Sequence, residues 1–227
     1  MTFAGLADRV ARVREVIRER QAARGWTHPV TIVAVTKTHG PEAVLAAVAA
    51  GLTDVGENRV QEALAKQEAL GPVPLAWHLI GTLQRNKARH AVGRFALIHS
   101  VDRLELAGEL QRRIPSGSRQ PILVQVNCSG EPQKGGVEPD ALPELLGAIA
   151  QLNRLEPRGL MTMAALTDEA REQRRAFSLL RELRDASERE GYRLPELSMG
   201  MSGDFAVAVE EGATLVRLGT VLFGERV

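Results

Sequence analysis

The chain has 227 residues, with 29 Lys and Arg against 28 Asp and Glu; a net charge of +1 points to neither nucleic acid nor an anionic membrane. A hydrophobic share of 44% and a charged share of 25% are those of a globular protein able to bury a real core. One cysteine, Cys128, excludes an internal disulfide framework, no apolar run is long enough to span a bilayer, and the N-terminus lacks a signal-peptide block, so the expectation is a cytoplasmic protein forming one domain over residues 1–227.

The chain begins with an amphipathic pattern. Phe3, Leu6, Ala7, Val10, Val13 and Ile17 recur at helical spacing, with Thr2 as a cap and Gly25 as a stop. From there strands and helices alternate. Val30–Thr36 reads as a strand, Pro41–Ala50 as a helix opened by proline, and Asp54–Gly56 as a very short strand. A helix over about 59–70, a strand over Ala76–Gly81 and a basic helix near Asn86–Ala91 follow. Next come Phe95–His99, a helix over 103–114 and the clearest strand, Pro121–Asn127. A helix over 141–152, a strand at Arg158–Met163 and a long charged helix over 169–190 continue the pattern. Leu197–Met199, the helix Phe205–Glu211 and the strand Thr214–Leu218 complete it.

Roughly eight strand–helix repeats predict a parallel sheet with right-handed crossovers, closed as a (β/α)8 TIM-like barrel. An open doubly wound sheet is the alternative, but the phosphate fingerprint G-x-G-x-x-G is missing after the first strand. The tail after the eighth strand is too short for a long final helix, so the N-terminal helix is expected to fill that gap.

Active residues of such a barrel sit at the C-terminal ends of strands. Lys37, one of only four lysines, ends the first strand; Glu57 and Asn58 follow the second, Thr82 and Gln84 the third, and Asn127, Cys128 and Ser129 end the fifth. A lysine on a buried strand is either paired with a carboxylate or needed as an amine, since desolvation makes it nucleophilic toward an aldehyde. Ser198–Asp204 leads straight into a helix and, with Gly200 and Ser202, resembles a phosphate cradle; Ser202 as a plain N-cap is the plainer reading. Gly219 and Thr220 follow the eighth strand, where such barrels often bind phosphate. Arg217 lies in an apolar strand, either paired with Asp54 or Glu57 or facing a ligand atom. His78 reads as a hydrogen-bonded core histidine, and His28, His39, His90 and His99 show no metal-ligand spacing. The basic run at 85–90 and the charges at 169–190 read as solvated helix faces, and 133–136 as a loop near the mouth. An amine, a buried arginine and a phosphate cradle at one mouth fit pyridoxal 5′-phosphate (PLP).

Long motifs also run in order through the chain: Ala34–Thr38, Gly56–Glu62, Trp77–Lys87, Ile98–Asp102, Val124–Asn127 with Ser129–Glu131, Gly159–Thr162, Ser198–Ser202 and Arg217–Arg226. On these the chain resembles the pyridoxal phosphate homeostasis proteins, PLP-binding barrels similar to the N-terminal domain of alanine racemase (fold-type III) without that enzyme's second β-domain. The resemblance implies a Schiff base of PLP on Lys37. It places Ser202, Gly219 and Thr220, with Gly200 in the same loop, at the phosphate, Arg217 near the ring nitrogen and Asn58 near the ring. It implies a role in vitamin B6 homeostasis without established turnover. A monomer is expected, with PLP and PLP-dependent apo-enzymes as partners. Cys128 stands where threonine is common in the family.

Three functions compete at this stage: a PLP carrier, a PLP-dependent racemase or decarboxylase, and a PLP-free barrel enzyme acting on a sugar phosphate. The second needs an acid or base on the substrate's far side, which racemases of this fold take from a tyrosine of the added β-domain. Tyr192, the one tyrosine here, precedes the seventh strand and is expected at the opposite end of the barrel from Lys37.

Overall fold

The computed structural model describes residues 3–224. Helix α1 (Leu6–Arg24) is followed by β1 (Thr31–Val35), α2 (Pro41–Ala49), β2 (Asp54–Glu57), α3 (Val60–Leu70) and β3 (Ala76–Leu79). A 3-10 turn at Arg85–Lys87 leads into α4 (Ala88–Ala91), then β4 (Leu97–Val101), α5 (Leu104–Arg113) and β5 (Gln120–Gln125). The chain continues with α6 (Leu142–Ala150), β6 (Leu155–Met161), α7 (Ala170–Arg189), β7 (Glu196–Ser198), α8 (Phe205–Glu210), β8 (Leu215–Leu218) and α9 (Thr220–Phe223). Strands β1 to β8 pair in sequence order, all parallel, and β8 closes on β1 through Thr31–Ala34 against Leu215–Leu218. The expected closed barrel is the observed one. Even the four-residue β2 pairs on both sides.

Alternation along each strand sorts the side chains. Val33, Leu97, Leu123, Met161 and Leu215 fill the barrel interior as one apolar cluster, while their strand neighbours face the helices. On α1, Leu6, Val10, Val13 and Ile17 form the buried stripe, and Gly25 ends the helix at φ 72°, with its N–H and that of Trp26 donating back to Ala22 and Gln21. The expected start of this helix shifts: Gly5 precedes Leu6, and Thr2 lies outside the described residues. Phe3 instead packs edge-on against Phe223, and Arg9 Nε donates to the Leu222 carbonyl. Thus α1 packs against α8 and α9 and covers the gap beside the short last helix, as the chain pattern predicts.

Two strands depart most from their predicted bounds; the others differ at their ends by one or two residues. The fourth was expected to end at His99, where the apolar run stops, yet β4 continues to Val101. His99 and Ser100 are buried because each finds a partner inside: His99 bonds His78 and Ser198, and Ser100 Oγ donates to the Gly81 carbonyl at 2.7 Å. The sixth starts three residues before Arg158, its register against β5 shifting across Ile122 and Leu123. The basic segment at 86–91 is a 3-10 turn plus one short helix rather than one continuous helix.

Candidate cofactor site

A cleft of about 410 Å³ opens at the C-terminal ends of the strands. Its walls carry Lys37 from the end of β1, Asn58 after β2, Thr82 after β3, Ser202 after β7, Arg217 in β8, and Gly219 and Thr220 after it. Residues far apart in sequence therefore share one mouth because parallel strands all deliver their C-terminal ends there. Asn127, Cys128 and Ser129 go elsewhere, into a separate groove beneath α7. Burial pushes the Cys128 thiol up to about 12.

Lys37 is half-buried at the cleft wall, less enclosed than the strand pattern suggests, and among the described residues its amine has no hydrogen-bond or ion-pair partner. The backbone on both sides of it is held from outside the barrel. Lys66 of α3, buried on the same helix face as Val60 and Ala63, sends its ammonium to Glu57 Oε1 (2.6 Å), the Thr36 carbonyl (2.8 Å) and Glu62 Oε1 (3.0 Å). Thr36 Oγ1 donates to the same Glu57 oxygen, and the Thr38 N–H donates to Glu62 Oε1. Thr38 sits at φ 67°, a left-handed conformation that a β-branched residue rarely takes. The Glu57–Lys66–Glu62 cluster thus grips the residues before and after Lys37 and holds that strained turn in place. Burial raises the Glu57 carboxyl above its ordinary value, and among the described residues its Oε2 has no partner.

Arg217 pairs with neither Asp54 nor Glu57. Its guanidinium donates to Ser198 Oγ (2.6 Å) and to the Thr162 carbonyl (2.9 Å). Glu57 faces outward to Lys66, and Asp54 is occupied by His78. Desolvation lowers Arg217 to about 10, offset in part by the buried Asp204. His78 is the hydrogen-bonded core histidine the sequence predicts, between Asp54 and His99.

Ser202 does not cap α8. Its Oγ crosses to the next loop and accepts N–H bonds from Gly219 and Val221, both at 3.2 Å. Two backbone N–H groups converging on one oxygen are a small anion cradle. The loop is shaped by Asp204, which accepts from the Met201 N–H, and by Gly200. Gly200 stands behind the cleft wall: at φ 90° its carbonyl accepts from the Arg217 N–H, and an added Cβ would lie 2.6 Å from that of Ala208.

The family described as alanine racemase, N-terminal domain, matches residues 11–227. A pyridoxal phosphate homeostasis protein of Aquifex aeolicus is 46% identical over 223 residues, covering 96% of this chain and 97% of that protein. The chain belongs to this family. A second relative of the same name, from Pseudomonas aeruginosa, is 46% identical over 225 residues, covering 97% of this chain and 96% of that protein. The solved structure of PipY from Synechococcus elongatus, with PLP bound, superimposes with a TM-score of 0.80 at 43% identity, covering 92% of this chain and all of that one.

In this member of the pyridoxal phosphate homeostasis family, several residues that matter to the mouth escape the sequence reading. Lys66 carried a signal: it continues the buried series Val60, Ala63 at helical spacing, and Glu62 precedes it by four residues. His99 and Ser198 carried none, because a single polar residue in a strand looks the same whether its partner is water or a side chain across the barrel.

Proposed function

We propose that this chain binds pyridoxal 5′-phosphate in the barrel mouth, holds it covalently on Lys37 and serves cytoplasmic PLP homeostasis as a monomeric, one-domain carrier for PLP-dependent apo-enzymes, without turnover of its own. One observation carries the reading: among the described residues lining the cleft, Lys37 and Arg217 are the only ionisable side chains. Two cations with no carboxylate between them suit a ligand bearing phosphate, an aldehyde and an aromatic nitrogen. Lys37 would hold the cofactor through its amine, since an amine condenses with an aldehyde, with loss of water, to a C=N bond. Ser202 and the N–H groups of Gly219 and Val221 face the phosphate, with Thr220 beside them. Asn58 flanks the ring. Arg217 directs an N–H toward the ring nitrogen, and a donor that keeps its own proton leaves that nitrogen less readily protonated and the ring a weaker electron sink.

The carrier reading also rests on what the cleft lacks. Proton exchange on a bound amino acid needs a second positioned acid or base besides the lysine, and among the described residues no carboxylate, histidine, tyrosine or cysteine lines it. Tyr192 borders a groove with Leu155 and Glu156, at the N-terminal end of β6 and the far end of the barrel. Alanine racemisation is expected to stay far below ~1 s⁻¹, an ordinary enzyme rate.

The test is the visible spectrum of the purified protein with PLP, followed by borohydride reduction and peptide mapping. A yellow species trapped on Lys37, and lost in Lys37→Ala, is the expected result. No chromophore, or label spread over Lys66, Lys87 and Lys134, overturns the reading.

A further inference from the structure

A chain of buried polar side chains crosses the interior of the barrel, where apolar packing is the rule. It starts at Arg217 in β8, passes to Ser198 at the end of β7 (2.6 Å), and spans the interior to His99 in β4 (2.9 Å). From there it runs to His78 in β3 (2.8 Å) and ends on the Asp54 carboxylate at the start of β2 (2.9 Å). Arg217, Ser198, His99 and His78 are all buried, while the Asp54 side chain is 17% exposed at the barrel floor.

The two ends fix the direction of every bond between them. A guanidinium only donates, and a carboxylate only accepts. Ser198 Oγ takes the Arg217 N–H, and among the described residues the only acceptor for its own proton is His99 Nδ1. His99 is then protonated at Nε2 and donates to His78 Nδ1, and His78 Nε2–H donates to Asp54. The reverse order strands the buried Ser198 proton and turns a His78 lone pair, or a second proton on His78, toward Asp54. Burial, with the charge of Arg217 nearby, holds His99 well below the ordinary histidine value, in keeping with one proton on that ring.

No carboxylate lies within ion-pair distance of Arg217 among the described residues, and the buried Asp204 answers the guanidinium only in part and through space, although a buried guanidinium needs compensation. We propose that Asp54, on the barrel floor, is the remote counter-charge of Arg217, linked to it through Ser198, His99 and His78, so that this chain orients the guanidinium and sets its donor strength toward the ring of bound PLP. Each bond in a one-way chain polarises the next, so a charge at one end is felt at the other. Ser198, His99, His78 and Asp54 are positioning residues, since none of them lines the cleft. The inference rests on the PLP reading above, and the experiment separates the two.

Asp54→Asn keeps an acceptor for His78, removes the charge and presents a donor to the exposed Thr53 hydroxyl, which can turn to accept it. It is expected to weaken PLP binding about tenfold and to move the visible absorption maximum of the bound cofactor, with the thermal unfolding curve retained. Ser198→Ala, which cuts the chain beside Arg217, gives the same direction of change. Glu196→Gln removes another acid from the strand starts at the floor, one that accepts from Thr214 and has no link to the chain; it leaves the spectrum unchanged. An Asp54→Asn protein whose PLP affinity and spectrum equal the wild type's sinks the inference while the PLP reading stands. No PLP binding by the wild type sinks the PLP reading instead. A measurement that needs neither a variant nor PLP is ¹⁵N NMR of the wild-type histidines. His78 and His99 are each expected to carry a proton on Nε2 and none on Nδ1, and a proton on His99 Nδ1 overturns the chain.

Discussion

Two lysines of this barrel sit a short distance apart in the fold and do opposite things. Lys66, between the barrel and α3, is buried and meets two glutamates and a backbone carbonyl. Lys37, at the cleft wall, is half-buried and meets no acid at all among the described residues. An ammonium whose charge is answered inside the protein is spent on structure. One left unanswered beside a second buried cation is available to a ligand. The lesson runs against burial as a guide to reactivity, because the more buried lysine is here the structural one.

The largest effects follow from exchanging these fates. Lys66→Met leaves Glu57 buried without its counter-charge and is expected to destabilise the fold by about 3–5 kcal/mol, read as a lower midpoint in urea. Replacing Glu57 and Lys66 together with Gln and Met recovers most of that loss, because the orphaned charge goes with its partner. PLP binding stays weakened in the double variant, since Thr36 loses its Lys66 contact and the Thr38 turn loses the network behind it. Lys37→Ala does the reverse: stability is expected within about 0.5 kcal/mol of the wild type, while covalent PLP binding disappears. A double variant that binds PLP normally would show that the two lysines are independent, and the comparison would break.

The barrel itself was readable in the sequence because each strand ends in a turn signal and each helix shows its apolar face. Lys37, Asn58, Ser202 and Arg217 were readable as a group because strand ends of a parallel barrel converge. What sequence could not give is pairing across the barrel. One of the two readings of Arg217 paired it with Asp54 or Glu57, both plausible by charge, yet strand alternation turns Glu57 outward and leaves Asp54 at the floor. The true neighbours, Ser198 and Thr162, are uncharged. The length of β4 was missed for the same reason, since His99 and Ser100 look like the end of a strand until their buried partners are known.

The open wall of the cleft gives a sharper, smaller test. Gly81 backs onto Asn58, and a Cβ there would lie 2.4 Å from the Asn58 carbonyl oxygen. Backbone cannot swing aside as a side chain does, so Gly81→Ala is expected to cost about 1–3 kcal/mol and to weaken PLP binding by displacing Asn58. Gly108→Ala, in the middle of α5 with open space around the new methyl, is expected to stabilise by about 0.5–1 kcal/mol and leave binding alone. Equal unfolding midpoints for the two variants would mean the Asn58 wall yields easily.

The smallest effect is electrostatic and belongs to the two glutamates that meet Lys66. Burial raises Glu57, so the folded state holds that proton more tightly and stability gains slightly as pH falls through its raised value toward 4.5. Glu62 moves the other way. Burial pushes it up, but the Thr38 N–H and Lys66 together pull it down further, below the ordinary 4.5. A carboxylate with a lowered folded value contributes stability above pH 4.5 and loses it as pH falls through that lowered value. Glu62 is partly solvent-exposed, so its share is a few tenths to about 1 kcal/mol. Thermal unfolding between pH 6 and pH 3 is expected to show a shallow profile above 4.5 and a decline below it, and Glu62→Gln is expected to flatten part of the decline. Among the described residues the cleft lining has no carboxylate to titrate, so PLP affinity in that acid range should fall with the Lys66 cluster, through the Thr38 turn. If Glu62→Gln leaves the acid dependence of PLP binding untouched, the grip of one lysine's network on the other's backbone carries no weight below neutral pH.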